Sequence, residues 1–142
     1  MTIKAILQTK GDAVTAIART ATVAEAVALL AQHRIGAVPV LDGEDVAGIF
    51  SERDVIHALA EHGASALDRA VGDVMTAPAI TVTRDEAALG ALSLMTRRRI
   101  RHLPVVEQGR MIGLISIGDL VKYRIDRIEA DAEAMRSYIQ SS

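Results

Sequence analysis

A chain of 142 residues with 50% apolar side chains can bury one sizeable core, or two small lobes sharing one, and is too short for a large multidomain enzyme. Its 16 basic and 18 acidic residues leave a formal charge of −2, so no global field recruits nucleic acid or an anionic membrane, and any anion site must be local. Cysteine is absent, which removes disulfides, thiol catalysis and cysteine-based metal centres together and agrees with a reducing cytoplasm.

The first segment, Met1 to Gly11, has a lysine on each side of Ala5-Ile6-Leu7 but no apolar core of signal-peptide length. No apolar run approaches the roughly 20 residues of a membrane span. A cytoplasmic protein is expected. Ile3 to Leu7 predicts a short helical turn, closed by the turn signal Lys10-Gly11-Asp12. Val14 to Ile17 reads as a short strand. Thr22-Val23-Ala24-Glu25 is a capping box, followed by Val23, Ala26, Val27 and Leu30 on one helical face, which predicts a helix to about His33. His33 then sits at a helix end. Gly36 to Leu41 is an apolar strand containing Pro39; proline has no donor, so the strand is expected at an edge or to end its pairing there. Asp42 to Asp45 is a polar turn, and Val46 to Phe50 returns as the other half of a hairpin. A helix from about Glu52 to His62, with Val55, Ile56 and Leu59 inward, ends at Gly63 in a left-handed cap.

Residues 64–70 read as a linker between a first unit, 1–63, and a second, 71–124. The same order of elements then recurs. Val71 to Met75 is a helical turn, Ala79 to Val82 a strand, and Asp85 to Arg98 a helix with Ala88, Ala91, Leu92 and Met95 inward. Ile100 to Val106 and Met111 to Ile115 form a hairpin about Gln108-Gly109-Arg110, and a long helix follows. At an offset of 65, Arg34/Arg99, Ile35/Ile100, Pro39/Pro104, Val40/Val105, Gly48/Gly113, Ser51/Ser116 and Asp54/Asp119 are identical. Two copies of one unit are present. Each is too small to be comfortable alone, so the copies should pack together about a pseudo-twofold axis, with sites in the clefts between them.

Residues 125–142 extend the last helix. Val121, Ile125, Ile128, Ala132, Met135 and Ile139 form an a/d seam that continues where the first copy stops. It either packs back on its own chain or joins two chains into a homodimer, and a seam running past the domain favours the second.

Gly48 to Asp54 and Gly113 to Asp119 carry the chemistry: an apolar strand, a serine, and an aspartate three residues on. The first amides of a helix are unpaired and sit at the positive end of its dipole, so a phosphate or ribose oxygen is favoured there. An aspartate one turn along can accept from both ribose hydroxyls. The competing reading is a pair of simple N-terminal caps.

These motifs, with Arg34 to Val40 and Arg99 to Val105, resemble a tandem pair of CBS (cystathionine beta-synthase) domains, a Bateman module, over nearly the whole chain. The resemblance implies an α+β fold of two β-α-β-β-α units. It also implies a stand-alone regulatory role and an adenosyl ligand in the clefts: AMP, ADP, ATP, NAD or S-adenosylmethionine. Carried across residue by residue, it puts Asp54 and Asp119 on ribose hydroxyls and Ser51 and Ser116 on phosphate or ribose oxygens. Thr15 and Thr81 fall at the nucleoside. Ala37, Val38, Leu103 and Pro104 lie along the strands that offer apolar walls and backbone to adenine. Arg53 lies in the first motif, and Arg99, Arg101 and His102 beside the second; because the copies face each other, either site can draw on these phosphate-binding groups, and the second is expected to bind more tightly. No metal is required.

Arg97-Arg98-Arg99 with Arg101 is open to two further readings, a basic helix end and a DNA contact. Aromatics at 2% and the negative net charge weigh against DNA. His57 and His62, five apart, do not share a helical face as a metal pair would. There is no P-loop, GxGxxG or ordered Ser/His/Asp set, so no enzyme activity is expected; the partners that the resemblance implies are an adenine nucleotide and an unidentified protein target.

Overall fold

The structure, a computed structural model, describes residues 2–11 and 14–141; Met1 and Asp12 of the segments read above lie outside the described residues. Helix α1 (Ile3–Lys10) leads into β1 (Ile17–Ala18), α2 (Val23–His33), the hairpin β2 (Ala37–Asp42) and β3 (Asp45–Ser51), and α3 (Glu52–His62). The stretch expected as a linker begins with a 3-10 turn, Gly63–Asp68, whose Ala66 is fully buried. After it come α4 (Val71–Val74), α5 (Ala88–Arg98), the hairpin β4 (His102–Glu107) and β5 (Arg110–Ser116), and α6 (Ile117–Ser141).

The repeat is visible in the backbone itself. The Thr22 capping box forms as expected, with Thr22 Oγ1 accepting from Glu25 N at 3.1 Å and Thr22 N donating to Glu25 Oε2 at 3.2 Å. Helices α2 and α5 both end at an arginine in the left-handed region, Arg34 (φ 54) and Arg99 (φ 55). Ile35 N and Ile100 N then close the same six-to-one bond, to Leu30 O and Met95 O, each at 3.1 Å. Ala37 faces Ser51 and Val40 faces Gly48 across the first hairpin; His102 faces Ser116 and Val105 faces Gly113 across the second, and each has its bulge just after that valine.

The strands before these hairpins are shorter than expected. In place of Val14 to Ile17 only Ile17 and Ala18 pair, in parallel with Val40 and Leu41; in place of Ala79 to Val82 only Val82 pairs, with Val105. Proline explains both. A residue's N and O point to the same side of a strand, and Pro104 O accepts from Val82 N (3.0 Å) while Val106 N returns to Val82 O (2.9 Å). The ring nitrogen thus faces the short strand, where no donor is available and pairing stops. Pro39 accordingly lies in the central strand of a β1-β2-β3 sheet, not at an edge. Helix α5 begins at Ala88, not Asp85, because residues 83–86 form a turn closed by Glu86 N on Thr83 O, whose Arg84 O and Glu86 O are held by Lys4 N and Ile3 N, and Ala87 after it is extended.

Each core is built from one repeat and the helix that precedes the other. Val23, Ala26, Leu30, Val38, Val40 and Phe50 enclose Val71 of α4, whereas Ala88, Ala91, Met95, Leu103, Val105, Ile115 and Leu120 enclose Ile3 and Ile6 of α1. The two glycines of the repeat admit these crossing segments. A Cβ on Gly48 would lie 2.5 Å from Thr76 O, and one on Gly113 2.6 Å from Leu7 Cδ2. At the far end of the hairpins Arg110 Nε meets Glu44 Oε2 at 3.1 Å, tying the two copies together.

Two helical faces depart from expectation. On α3 Val55 packs against the first core and the small Ala58 is buried, while Ile56 (66% exposed) and Leu59 (41%) lie on the surface instead of inward. Gly63 has the positive φ (65°) that favours glycine, but its ψ of −152° is not that of a left-handed cap. Helix α6 buries Leu120 in its first turn, and its seam then runs exposed, from Val121 at 44% to Met135 at 60%.

Candidate functional site

Both strand-to-helix junctions close the same reciprocal box. Ser51 N donates to Asp54 Oδ2 (2.8 Å), and Asp54 N to Ser51 Oγ (3.4 Å). Ser116 N donates to Asp119 Oδ2 (2.9 Å), and Asp119 N to Ser116 Oγ (3.1 Å). The serines therefore cap their helices, and what separates the two motifs is the further partner of each aspartate.

That partner comes from the crossing segments. Val71 N and Gly72 N bond to Ala21 O and Arg19 O, as Ile3 N and Lys4 N bond to Glu86 O and Arg84 O. The two leaders thus correspond at an offset of 68, not 65, and the first has three more residues before its sheet begins. Those residues add most of a turn to α1. The turn delivers Lys10 to the second junction, where its Nζ donates to Asp119 Oδ2 and to Leu114 O, both at 2.7 Å. The shorter leader unwinds at Met75 instead, and Thr76 pairs with Ile49 through two backbone bonds of 2.9 Å. Its hydroxyl donates to Asp54 Oδ1 at 2.8 Å. Asp54 is therefore bonded through both oxygens, whereas the bonds to Asp119 all fall on Oδ2.

Beside Asp119 the copies enclose a cleft of about 420 Å³, lined by Lys10, Thr15, Arg34, Ala37, His102 and Ser116 among others. It is an inter-copy site: Thr15, Arg34 and Ala37 come from the first repeat, His102 and Ser116 from the second. On the other side of Arg34 a groove of about 570 Å³ opens outward between α2 and α3, with Val27, Leu30, Val55 and Ile56 as its apolar walls.

The ionisable groups of the cleft are Lys10, Arg34, His102 and, at its edge, Asp119. Burial lowers the His102 pKa below its ordinary 6.5; Lys10 and Arg101 lower it further, against an opposing pull from Asp119, so the imidazole is neutral at pH 7. At Asp119 burial pushes the carboxyl up, but the hydrogen bonds from Lys10 and Ser116 and the charge of Lys10 outweigh it. They hold the group below the ordinary 3.8.

Of the residues singled out from sequence, Thr15, Ala37, His102 and Ser116 line this cleft, and Asp119 is hydrogen-bonded to two of its lining residues. Val38, Leu103 and Pro104 are buried in the cores and can offer only backbone. Ser51 and Asp54 stand at the other junction, behind the Ile49–Thr76 pairing. Arg53, Thr81, Arg99 and Arg101 are exposed and outside the cleft lining. Thr81 does not correspond to Thr15: Ile17 and Val82 pair with equivalent valines, so the counterpart of Thr81 is Ala16. Lys10 and Arg34 are the basic residues that sequence reasoning did not place. Arg34 carried a signal, its identity with Arg99 at the offset of the repeat. Among the described residues no helix is long and apolar enough to cross a membrane, and no three His, Cys, Asp or Glu side chains gather as a metal site requires.

The sequence profile of the CBS domain matches residues 6–61 and 71–126. CBS domain-containing protein CBSX3, a mitochondrial protein of Arabidopsis thaliana, is 39% identical over 84% of this chain, which spans 60% of that protein's length. The crystal structure of the CBS-domain protein ATU1752 from Agrobacterium tumefaciens superposes with a TM-score of 0.81 at 40% identity, covering 87% of this chain and 92% of that one. Two more distant structures share the fold and contain adenosyl compounds. CBSX2 in complex with AMP has a TM-score of 0.71 at 24% identity, over 80% of this chain and 88% of its own. The CBS pair of MJ0100 in complex with 5-methylthioadenosine and S-adenosyl-L-methionine has a TM-score of 0.74 at 22% identity, over 89% and 98%.

Proposed function

The chain belongs to the CBS domain family, as a tandem pair, and on that basis we propose that it is a non-catalytic regulatory module that binds an adenine nucleotide between its repeats and reports occupancy to a protein target. The observation that carries this reading is the 420 Å³ cleft lined by both copies, with Lys10, Arg34 and His102 around it and Asp119 at its edge. Asp119 accepts from the ribose hydroxyls, the Ser116 hydroxyl faces the polar end, and Thr15 and Ala37 meet the nucleoside. AMP in CBSX2 and the adenosyl compounds of MJ0100 support the size and class of ligand. Asp54 is bonded through both oxygens beside the Ile49–Thr76 pairing, so one nucleotide binds per chain, and the Asp54 side is a structural brace.

A ligand that touches both copies favours whichever arrangement brings its two walls closest, and a coupling of about 1–3 kcal/mol suffices for regulation. Helix α6 starts at the ligand and ends in the exposed seam, so a homodimer through that seam transmits the change. Calorimetric titration with AMP, ADP, ATP, NAD, S-adenosylmethionine and GMP tests the reading. An adenosyl compound should bind with a stoichiometry of one per chain, and at a hundredfold excess over its Kd should stabilise the fold by about 2.7 kcal/mol. Absence of binding by all of them at millimolar concentration leaves the alternative of a structural dimerisation module whose clefts are vestigial.

A further inference from the structure

We propose that Lys10 makes the cleft selective for phosphorylated adenosyl ligands over neutral or cationic ones, by giving up Asp119 to the ribose and turning to the phosphate. This rests on the nucleotide-binding reading above and specifies which adenosyl compounds the site accepts.

The ammonium of Lys10 sits on Oδ2 of Asp119, one of the two carboxylate oxygens that the paired hydroxyls of a ribose would take. It holds Asp119 Oδ2 and Leu114 O at 2.7 Å each, and Ser116 N shares the same carboxylate oxygen. The side chains are 36% and 25% exposed, so the pair lies where solvent screens it only in part. When ribose hydroxyls donate to Asp119 they bring no charge, and Lys10 loses the anion that balanced it. Separating a half-buried ion pair is costly unless the cation finds another anion. A phosphate supplies one. Adenosine supplies none, and S-adenosylmethionine holds its carboxylate out at the end of the methionyl chain while placing a sulfonium where AMP has its phosphate, in a cleft already lined by Lys10 and Arg34. Lysine suits this exchange because its charge rides on a flexible four-carbon stem, so it can turn from carboxylate to phosphate without moving α1.

The test is calorimetric titration of the wild-type chain, Lys10→Met and Lys10→Arg with AMP, adenosine and S-adenosylmethionine. The wild type should bind AMP about tenfold or more tighter than adenosine, the size of one charge-assisted hydrogen bond. In Lys10→Met the AMP affinity should fall by about that factor while adenosine binds unchanged or tighter, bringing the two within about threefold. Lys10→Arg should keep the preference. Equal binding of AMP and adenosine by the wild type overturns the proposal whatever the variants do. A parallel loss of both ligands in Lys10→Met also overturns it, because Lys10 would then be only a brace for Asp119. If the wild type binds none of the three compounds, the nucleotide reading itself fails, and the selectivity with it.

Discussion

Residues 51–54 and 116–119 follow the same path, face equivalent residues across equivalent hairpins and close the same serine–aspartate box. One is sealed by a strand-like pairing, and the other opens on a cleft. Nothing within the motifs accounts for this. The difference lies in the segments that cross from the opposite end of the module: the longer leader stays helical and brings an ammonium, while the shorter one unwinds and brings a hydroxyl and a backbone ladder. Two copies of one unit can therefore end in a closed junction and an open one while keeping the same serine and aspartate. The same division marks their last helices, since α3 stops at His62 after 11 residues while α6 runs for 25.

The largest effect should come from the helix pair. In Ile128→Glu, a charge placed in the α6 seam is unpaired in the dimer; it should cost about 3 kcal/mol or more, over a hundredfold in dimer Kd, and sedimentation velocity should report a monomer. Sedimentation like the parent chain would place the seam outside any dimer interface. The junctions come next. Asp119→Ala should weaken AMP binding by about tenfold to a hundredfold, through the loss of two hydrogen bonds to a charged acceptor. Asp54→Ala should leave binding unchanged and lower denaturant stability by about 1–2 kcal/mol, the worth of a helix cap. Equal losses of affinity in both variants would mean that both junctions hold ligand.

The smallest effect is one of pH. Because burial and Lys10 depress the His102 pKa, its protonation opposes the fold, and the stability it contributes above its ordinary 6.5 is lost as pH falls through the depressed value. A bound phosphate draws that pKa back up, so binding takes up a proton. AMP affinity should therefore rise a few-fold between pH 8 and pH 6 in the wild type, relative to His102→Gln, in which that component is missing. Identical pH profiles for the two chains would remove His102 from the phosphate end.

Much of the fold could be read directly from residue patterns. Thr22-x-x-Glu25 started a helix where expected, both hairpins formed about their turn residues, and the offset of 65 aligned elements that the structure superposes in register. What periodicity cannot encode is which copy an apolar segment packs against. Ile3 and Ile6 are as apolar facing one sheet as the other, so the crossing of the leaders left no trace in sequence. Lys10 escaped for the same reason: it lies 109 residues from Asp119, and only the crossed path of α1 joins them. The first strands are shorter than their own residues suggest, because their length is set by a proline in the neighbouring strand. On α3 apolar spacing points Ile56 and Leu59 inward, but the helix buries the small Ala58 and leaves both outside.

The crossed leaders also set an order of assembly. The first repeat leaves the ribosome without Val71, and its core closes only once the chain beyond the 3-10 turn has been made; Ile3 and Ile6, made before either hairpin, wait for a sheet that ends at Ser116. Neither repeat expressed by itself would contain a complete core. The sequence boundary at residue 63 therefore separates the repeats but not their cores, and α1 is among the last elements that can dock.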